Sequence, residues 1–152
     1  VKTGTEPISD DILREFCGYS MKRAFHVVQT DVNRTLAPFG LRMVTFSTLA
    51  MVVENAGLRQ SQLADALMIE RPNLVLILDD LQQRGLIARN PAPDDRRAYA
   101  LTVTAAGQRV FDAAREAVRA HDARMTDGLS DEEVRALIGA LRRIETNSGK
   151  ES

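Results

Sequence analysis

Apolar positions along this chain recur mostly at spacings of three and four, and one stretch alternates instead. From Asp10 to about Ala37, Leu13, Cys17, Ala24, Val28 and Leu36 share a face that Phe16, Tyr19 and Val27 widen, which predicts one long amphipathic helix ended by Pro38 and Gly40. Met43 to Glu54 carries Phe46, Leu49, Ala50 and Val53 at helical spacing, and Asn55-Ala56-Gly57 closes that second helix. A short third helix follows from Ser61 to Leu67, with Leu63, Ala64 and Leu67 inward. After a tight turn from Met68 to Arg71, Pro72 opens a fourth helix whose core stripe is Leu74, Ile77, Leu78 and Leu81 and whose stop is Gly85.

The alternating stretch lies in GLIARNPAPDDRRAYALTVTAAG, from Gly85 to Gly107. Tyr99, Leu101 and Val103 alternate with Ala98, Ala100 and Thr102 as a half-buried strand does, and Pro91-Ala92-Pro93 can neither continue a helix nor donate into a ladder. The expectation is a hairpin with Asp94, Asp95, Arg96 and Arg97 at its tip. Thr104 then caps a helix bearing Val110, Phe111, Ala114, Val118 and Met125, interrupted at Gly128. Ser130 and Glu133 form a capping box for a last helix with Val134, Leu137, Ile138, Leu141 and Ile144 on one face. The order is four helices, a hairpin and two helices, with no internal repeat.

Composition narrows the picture chiefly by exclusion. The 152 residues make one ordinary domain, and a formal charge of −1 carries no bulk attraction for nucleic acid, so such a partner needs a local basic surface. From residue 59 to 104, Arg59, Arg71, Arg84, Arg89, Arg96 and Arg97 are matched by Asp65, Glu70, Asp79, Asp80, Asp94 and Asp95, so segregation of charge must supply it. The single cysteine excludes an internal disulfide, and no apolar run approaches the roughly 20 residues of a membrane helix. The expected location is a reducing cytoplasm, with no membrane contact. No phosphate loop, no nucleophile with a placed histidine and no metal-spaced pair is present, His26 and His121 being the only histidines. The expectation is a protein that is not an enzyme and holds no cofactor or metal, with Asp79-Asp80 on a solvated helix face.

A short helix, tight turn, helix and hairpin together make the signature of a winged helix-turn-helix, whose second helix enters the major groove while the hairpin reaches alongside. Gly40-Leu41, SQLADAL, Leu81-x-x-x-Gly85-Leu86-Ile87-x-Arg89, the wing Asp95-x-Arg97 and Val103-Thr104-x-x-Gly107 run through nearly the whole chain. The pattern resembles the MarR family of bacterial transcription regulators. The fold expected is mainly α: a winged helix-turn-helix DNA-binding domain at 41–104 with a two-stranded β wing, a helical dimerisation region at 8–38 and 105–147, and disordered ends at 1–7 and 148–152. The resemblance implies a homodimer built from the first, fifth and sixth helices, reading a pseudo-palindromic double-stranded DNA operator. Leu137, Ile138, Leu141 and Ile144 would supply an apolar face for it; the alternative is that they pack on the chain's own first helix.

On the reading elements, Arg97 is placed to enter a narrow minor groove. Asp95, two residues before it on one strand face, is expected to hold its guanidinium in a fork, with Arg96 facing phosphates. Arg71, Pro72 and Asn73 form the first turn of the recognition helix, where Arg can read guanine and Asn adenine; Val75 and Leu76 follow on the outward side and can touch only a thymine methyl. Gln60 and Ser61 sit at a helix N-terminus suited to a phosphate. Arg42 and Arg59 stand where relatives commonly place a capping threonine, which forgoes about 1 kcal/mol each and opposes the helix dipole. Arg59 is read as a phosphate contact.

The resemblance also implies a small-molecule effector pocket where the dimer helices meet the reading domain, and the candidates are Tyr19, Arg23, His26, Phe39, Met43, Phe46 and Phe111. The ERPNL segment is similar to relatives that regulate breakdown of aromatic acids and their thioesters. The function expected is therefore a repressor released by a small aromatic or phenolic ligand. The competing class is a dimeric protein-binding antirepressor or adaptor that has lost DNA reading, which Val75 and Leu76 favour and Arg97 with Asp95 opposes. Cys17 is read as a small buried apolar residue, not a redox sensor.

Overall fold

The computed structural model describes residues 7–148. The expected disordered ends, 1–7 and 148–152, lie outside the described residues except for Pro7 and Ser148. The elements are α1 (Asp11–Arg14), α2 (Cys17–Leu36), a 3₁₀ turn (Ala37–Phe39), α3 (Met43–Glu54), β1 (Leu58–Arg59), α4 (Gln60–Leu67), α5 (Arg71–Gln83), β2 (Ile87–Ala92), β3 (Asp95–Val103), α6 (Ala105–Met125) and α7 (Asp131–Glu145).

The core gathers where the reading elements meet the middle of the chain: Leu36, Leu41, Leu49, Val52, Leu63, Leu74, Leu78, Leu81, Leu86, Leu101 and Phe111 are all buried. The stripe predicted for the fourth helix is thus inward at Leu74, Leu78 and Leu81. The first helix departs from its expectation. Instead of one element from Asp10, the backbone turns at Glu15 and is extended at Phe16, and the ladder restarts at Cys17. Leu13, Phe16, Cys17, Ala24 and Val27 are exposed, and burial on α2 begins only at Val32. A short helix is marginal without packing, so the exposed stretch from Asp10 to Phe16, about two turns, is not held in line with α2. Cys17 is therefore solvent-exposed rather than buried. Asp10 spans the break, accepting from Arg14 Nε at 3.1 Å and from the Tyr19 hydroxyl.

The sheet has three antiparallel strands in the order β1-β3-β2, so the predicted two-stranded wing gains a third, two-residue strand too short to show a period. Leu58 pairs with Leu101 and Arg59 with Ala100. Pro91 and Ala92, expected to turn, instead extend β2, which an edge strand permits because a missing N–H costs it no ladder bond. The register then jumps from Pro91↔Tyr99 to Ala92↔Asp95, leaving Arg96, Arg97 and Ala98 out of step. The turn itself is Pro93-Asp94.

Three motif residues quoted from the sequence meet at one joint. Thr104 Oγ1 donates to the Gly85 carbonyl at 2.6 Å and accepts from the Gly107 N–H at 3.0 Å, capping α6, while the Thr104 N–H donates to the Leu86 carbonyl. A Cβ on Gly107 would lie 1.9 Å from that same Leu86 oxygen, so only glycine lets α6 start this close to the strand. Gly40, at φ +65°, turns the chain from the 3₁₀ segment toward α3, and its carbonyl and that of Phe39 accept from the Arg84 guanidinium at 2.8 and 3.0 Å.

The two arginine caps are partly made good. At α3, the Arg42 N–H donates to Thr45 Oγ1 at 2.7 Å and the Met43 N–H to Asn33 Oδ1, a side chain of α2, at 2.7 Å. At α4, the Arg59 N–H donates to Gln62 Oε1 at 3.0 Å. An arginine has no acceptor of its own, so neighbours satisfy the orphan groups. The Ser130–Glu133 box forms as read, with both reciprocal bonds in place. Leu137, Ile138, Leu141 and Ile144 on α7 remain 38–48% exposed, and Met21 of α2 shares a shallow hollow with the last three.

Candidate nucleic-acid interface

Burial of Leu74, Leu78 and Leu81 fixes which side of α5 faces away from the core. Arg71, Pro72 and Asn73 in its first turn are exposed, and so are Val75 at 37% and Leu76 at 68%, both outward as expected. The bulge in β3 turns Arg97 toward the same side. Between α4, α5 and the wing lies a cleft of about 470 Å³ lined by Arg59, Gln60, Ser61, Ala64, Arg71, Leu74, Val75, Arg89, Arg97, Ala98 and Tyr99. Six residues singled out from the sequence, Arg59, Gln60, Ser61, Arg71, Val75 and Arg97, thus converge from β1, α4, α5 and β3. Pro72, Asn73, Leu76, Asp95 and Arg96 lie outside the lining but are exposed.

Sequence reasoning missed Arg89 and Tyr99, which also line the cleft. Arg89 stood in a quoted motif, yet only the fold turns it inward: its Nε donates to Gln82 Oε1 at 2.6 Å and its Nη2 to the Asp79 carboxylate. Asp79 and Asp80 are therefore not a merely solvated face. Asp79 anchors Arg89, and Asp80 lies 3.7 Å from Arg84, although exposed pairs of this kind contribute only about 0–1 kcal/mol.

The positive charge is sorted by these pairings. Arg59 Nη2 donates to both oxygens of Asp94 at 2.5 Å, and the guanidinium holds that carboxyl below its usual range. Among the described residues, Arg71, Arg96 and Arg97 have no carboxylate within 4.0 Å. The edge formed by α5's first turn and the wing is thus the unneutralised one, as segregation requires. Gln60 Oε1 is buried with no donor among the described residues.

Asp95 does not hold the Arg97 guanidinium. Its Oδ1 accepts from the Arg97 backbone N–H at 2.9 Å, the turn that a short carboxylate makes with the amide two residues on. It shapes the backbone that carries Arg97 and leaves the guanidinium unengaged.

The effector candidates divide into two groups. Phe46 stacks on Phe111, centroids 5.6 Å apart and planes 20° from parallel, and Phe39 and Met43 pack against the same core. Tyr19, Arg23 and His26 lie on α2, where Tyr19 bonds Asp10, which raises the phenol's pKa, and Arg23 is exposed. A hollow of about 320 Å³ takes in His26 with Val27, Thr30, Asp31, Arg34 and Met125. None of the three clefts gathers more than one of the seven.

The sequence profile of the MarR family matches residues 41–99, from before α3 to Tyr99 in β3. A protein assigned to transcriptional regulation of the hcr operon in Thauera aromatica is 32% identical over 128 residues, covering 84% of this chain and 77% of the relative. The chain belongs to the MarR family. It is a transcriptional regulator of that family, and its relatives are regulators rather than enzymes. The transcriptional repressor CouR, bound to a 23-mer DNA duplex, has 35% identity and a TM-score of 0.87, covering 92% of this chain and 99% of that one. CouR from Rhodococcus jostii RHA1, bound to p-coumaroyl-CoA, has 29% identity and a TM-score of 0.79, covering 87% and 93%. No single helix among the described residues of this MarR-family chain is long and apolar enough to cross a membrane.

Proposed function

We propose that the chain is a homodimeric repressor that binds a pseudo-palindromic double-stranded DNA operator in the cytoplasm and is released by a small aromatic acid or its thioester. The observation that carries the DNA half is the cleft in which Arg59, Arg71, Arg89 and Arg97 converge from β1, α5 and the wing strands. Residues 41–104 are the reading domain. Arg71, Pro72 and Asn73 present base-reading groups, Val75 and Leu76 offer methyl contacts, Gln60 and Ser61 bind phosphate, and Arg96 and Arg97 engage backbone and minor groove. The DNA-bound CouR relative supports this arrangement.

Residues 8–38 and 105–147 form the dimer. The exposed apolar residues of α7, with Ile12, Leu13 and Phe16, are the surface it covers. A partner there would also wall the space beside Tyr19, Arg23 and His26, which one protomer leaves open. That is where an effector would enter, with Phe39, Met43, Phe46 and Phe111 behind it. The relative bound to p-coumaroyl-CoA supports an aromatic thioester as the ligand class.

A gel shift against the promoter region beside the chain's own gene tests the reading. Sequence-selective retardation, weakened by Arg97→Ala and abolished by an aromatic acyl thioester, is expected. Absence of any DNA binding would instead support the adaptor role that exposed Val75 and Leu76 suit.

A further inference from the structure

The anion at Arg59 is supplied by the protein itself. Arg59 closes β1, caps α4 and lines the DNA-facing cleft, and its guanidinium is occupied by Asp94, 35 residues away at the wing turn. Both carboxylate oxygens are within 2.5 Å of one nitrogen. The pair is not buried: the side chains are 38% and 69% exposed, so an outside anion has access to it. A carboxylate and a phosphate present the same pair of oxygens to a guanidinium. Asp94 therefore sits where a DNA phosphate beside the N-terminus of α4 would sit.

We propose that Asp94 is an intramolecular competitor for a DNA phosphate at Arg59, which holds the wing turn against α4 in the free protein and sets the affinity and salt dependence of binding. The inference rests on the DNA-binding reading above. Binding would exchange one anion for another at Arg59: the phosphate gains the guanidinium, and the Asp94 carboxylate moves out to solvent. The exchange releases less free energy than capture of an unpaired arginine. The wing turn, freed from α4, would then let Arg97, three residues on, follow the groove. Among the described residues Arg71 and Arg97 have no carboxylate partner, and Arg89 is held by Asp79 of α5, so Arg59 is the one cleft arginine whose partner lies on the wing turn.

The test measures fluorescence anisotropy of a labelled duplex of mixed sequence, 23-mer in length as bound by CouR, with the full chain between about 50 and 200 mM salt. Asp94→Asn should bind about two- to fivefold tighter per protomer, the scale of one exposed ion pair. Its plot of log affinity against log salt should steepen by well under one unit per protomer, because both proteins neutralise the same phosphate and only in wild type does added salt also weaken the competing ion pair. Arg59→Gln should bind more weakly, and adding Asp94→Asn to it should change nothing. Melting temperatures of the three variants check that the fold is kept. Unchanged or weaker binding by Asp94→Asn would overturn the proposal, as would equal tightening in the Arg59→Gln background, which would mean a general charge effect. If wild type fails to bind the duplex at the lowest salt, the DNA-binding reading falls as well; if wild type binds and the cycle shows no coupling, only the competitor falls.

Discussion

His121 Nδ1 lies 2.6 Å from Asp31 Oδ2, joining α6 to α2 across 90 residues of sequence. An ionised carboxylate only accepts, so Nδ1–H donates to it. Arg124 Nη2 donates to the same oxygen at 2.9 Å and to Thr35 Oγ1 at 3.2 Å. The imidazole is 4% exposed, so the carboxylate satisfies a donor that has little water. This cluster ties the two long helices α2 and α6 to each other.

The hydrogen bond from His121, followed by that from Arg124, holds the Asp31 carboxyl below its usual range. A carboxyl depressed in the folded state stabilises above its unfolded value and loses that contribution as pH falls through the folded one. Asp31→Asn should therefore melt at a lower temperature than wild type at neutral pH. The gap should narrow as pH drops below about 4. Calorimetry at stepped pH checks this, and a gap that stays constant to pH 2 would count against the carboxylate as its source.

Gly107→Ala should destabilise the fold by about 3 kcal/mol, at the upper end for overpacking, because the new methyl meets the Leu86 carbonyl oxygen at 1.9 Å. Urea unfolding monitored by circular dichroism gives the value. Thr104→Ala, which removes the cap and its bond to Gly85, should cost about 1 kcal/mol.

Arg97→Ala is expected to weaken DNA binding by about 10- to 100-fold, with little change in melting temperature, because its guanidinium is exposed and has no carboxylate partner within 4.0 Å among the described residues. Asp95 gives the finer test. Since Oδ1 serves the Arg97 amide, Asp95→Asn keeps an acceptor and should bind nearly as wild type, whereas Asp95→Ala should lose several-fold. Equal losses in the two variants would point back to a charge contact with the guanidinium.

Leu141→Glu with Ile138→Glu should convert a dimer to a monomer in sedimentation velocity. Leu141 and Ile138 are 38% and 46% exposed on the protomer, and burying that remaining surface contributes about 1 kcal/mol each. A protein that remains dimeric would place the interface elsewhere.

Much of the fold is legible in the sequence. Proline and glycine punctuation, capping residues and the switch from a period of 3.6 to 2 located α3 to α7 and the hairpin within a few residues. The candidate interface was legible in outline, since Arg59, Gln60, Ser61, Arg71, Val75 and Arg97 all reach one cleft. Arg89 was not, because its approach depends on Gln82 and Asp79 of the preceding helix. β1 escaped for a different reason: two residues cannot display an alternation, and only pairing with Leu101 and Ala100 makes them a strand.

The wing shows where the division falls. Composition and spacing alone determined that a charged hairpin follows a helix-turn-helix, because turn chemistry, capping and periodicity act over a few neighbouring residues and leave their mark in order along the chain. Which arginine is engaged and which is open was decided only by tertiary structure. Arg59 meets Asp94 across 35 residues, Asp95 turns to a backbone amide, and the first helix breaks at Phe16 where its own protomer leaves it uncovered. Those outcomes depend on which surfaces packing brings within a few ångströms, and long-range proximity has no local period in the sequence.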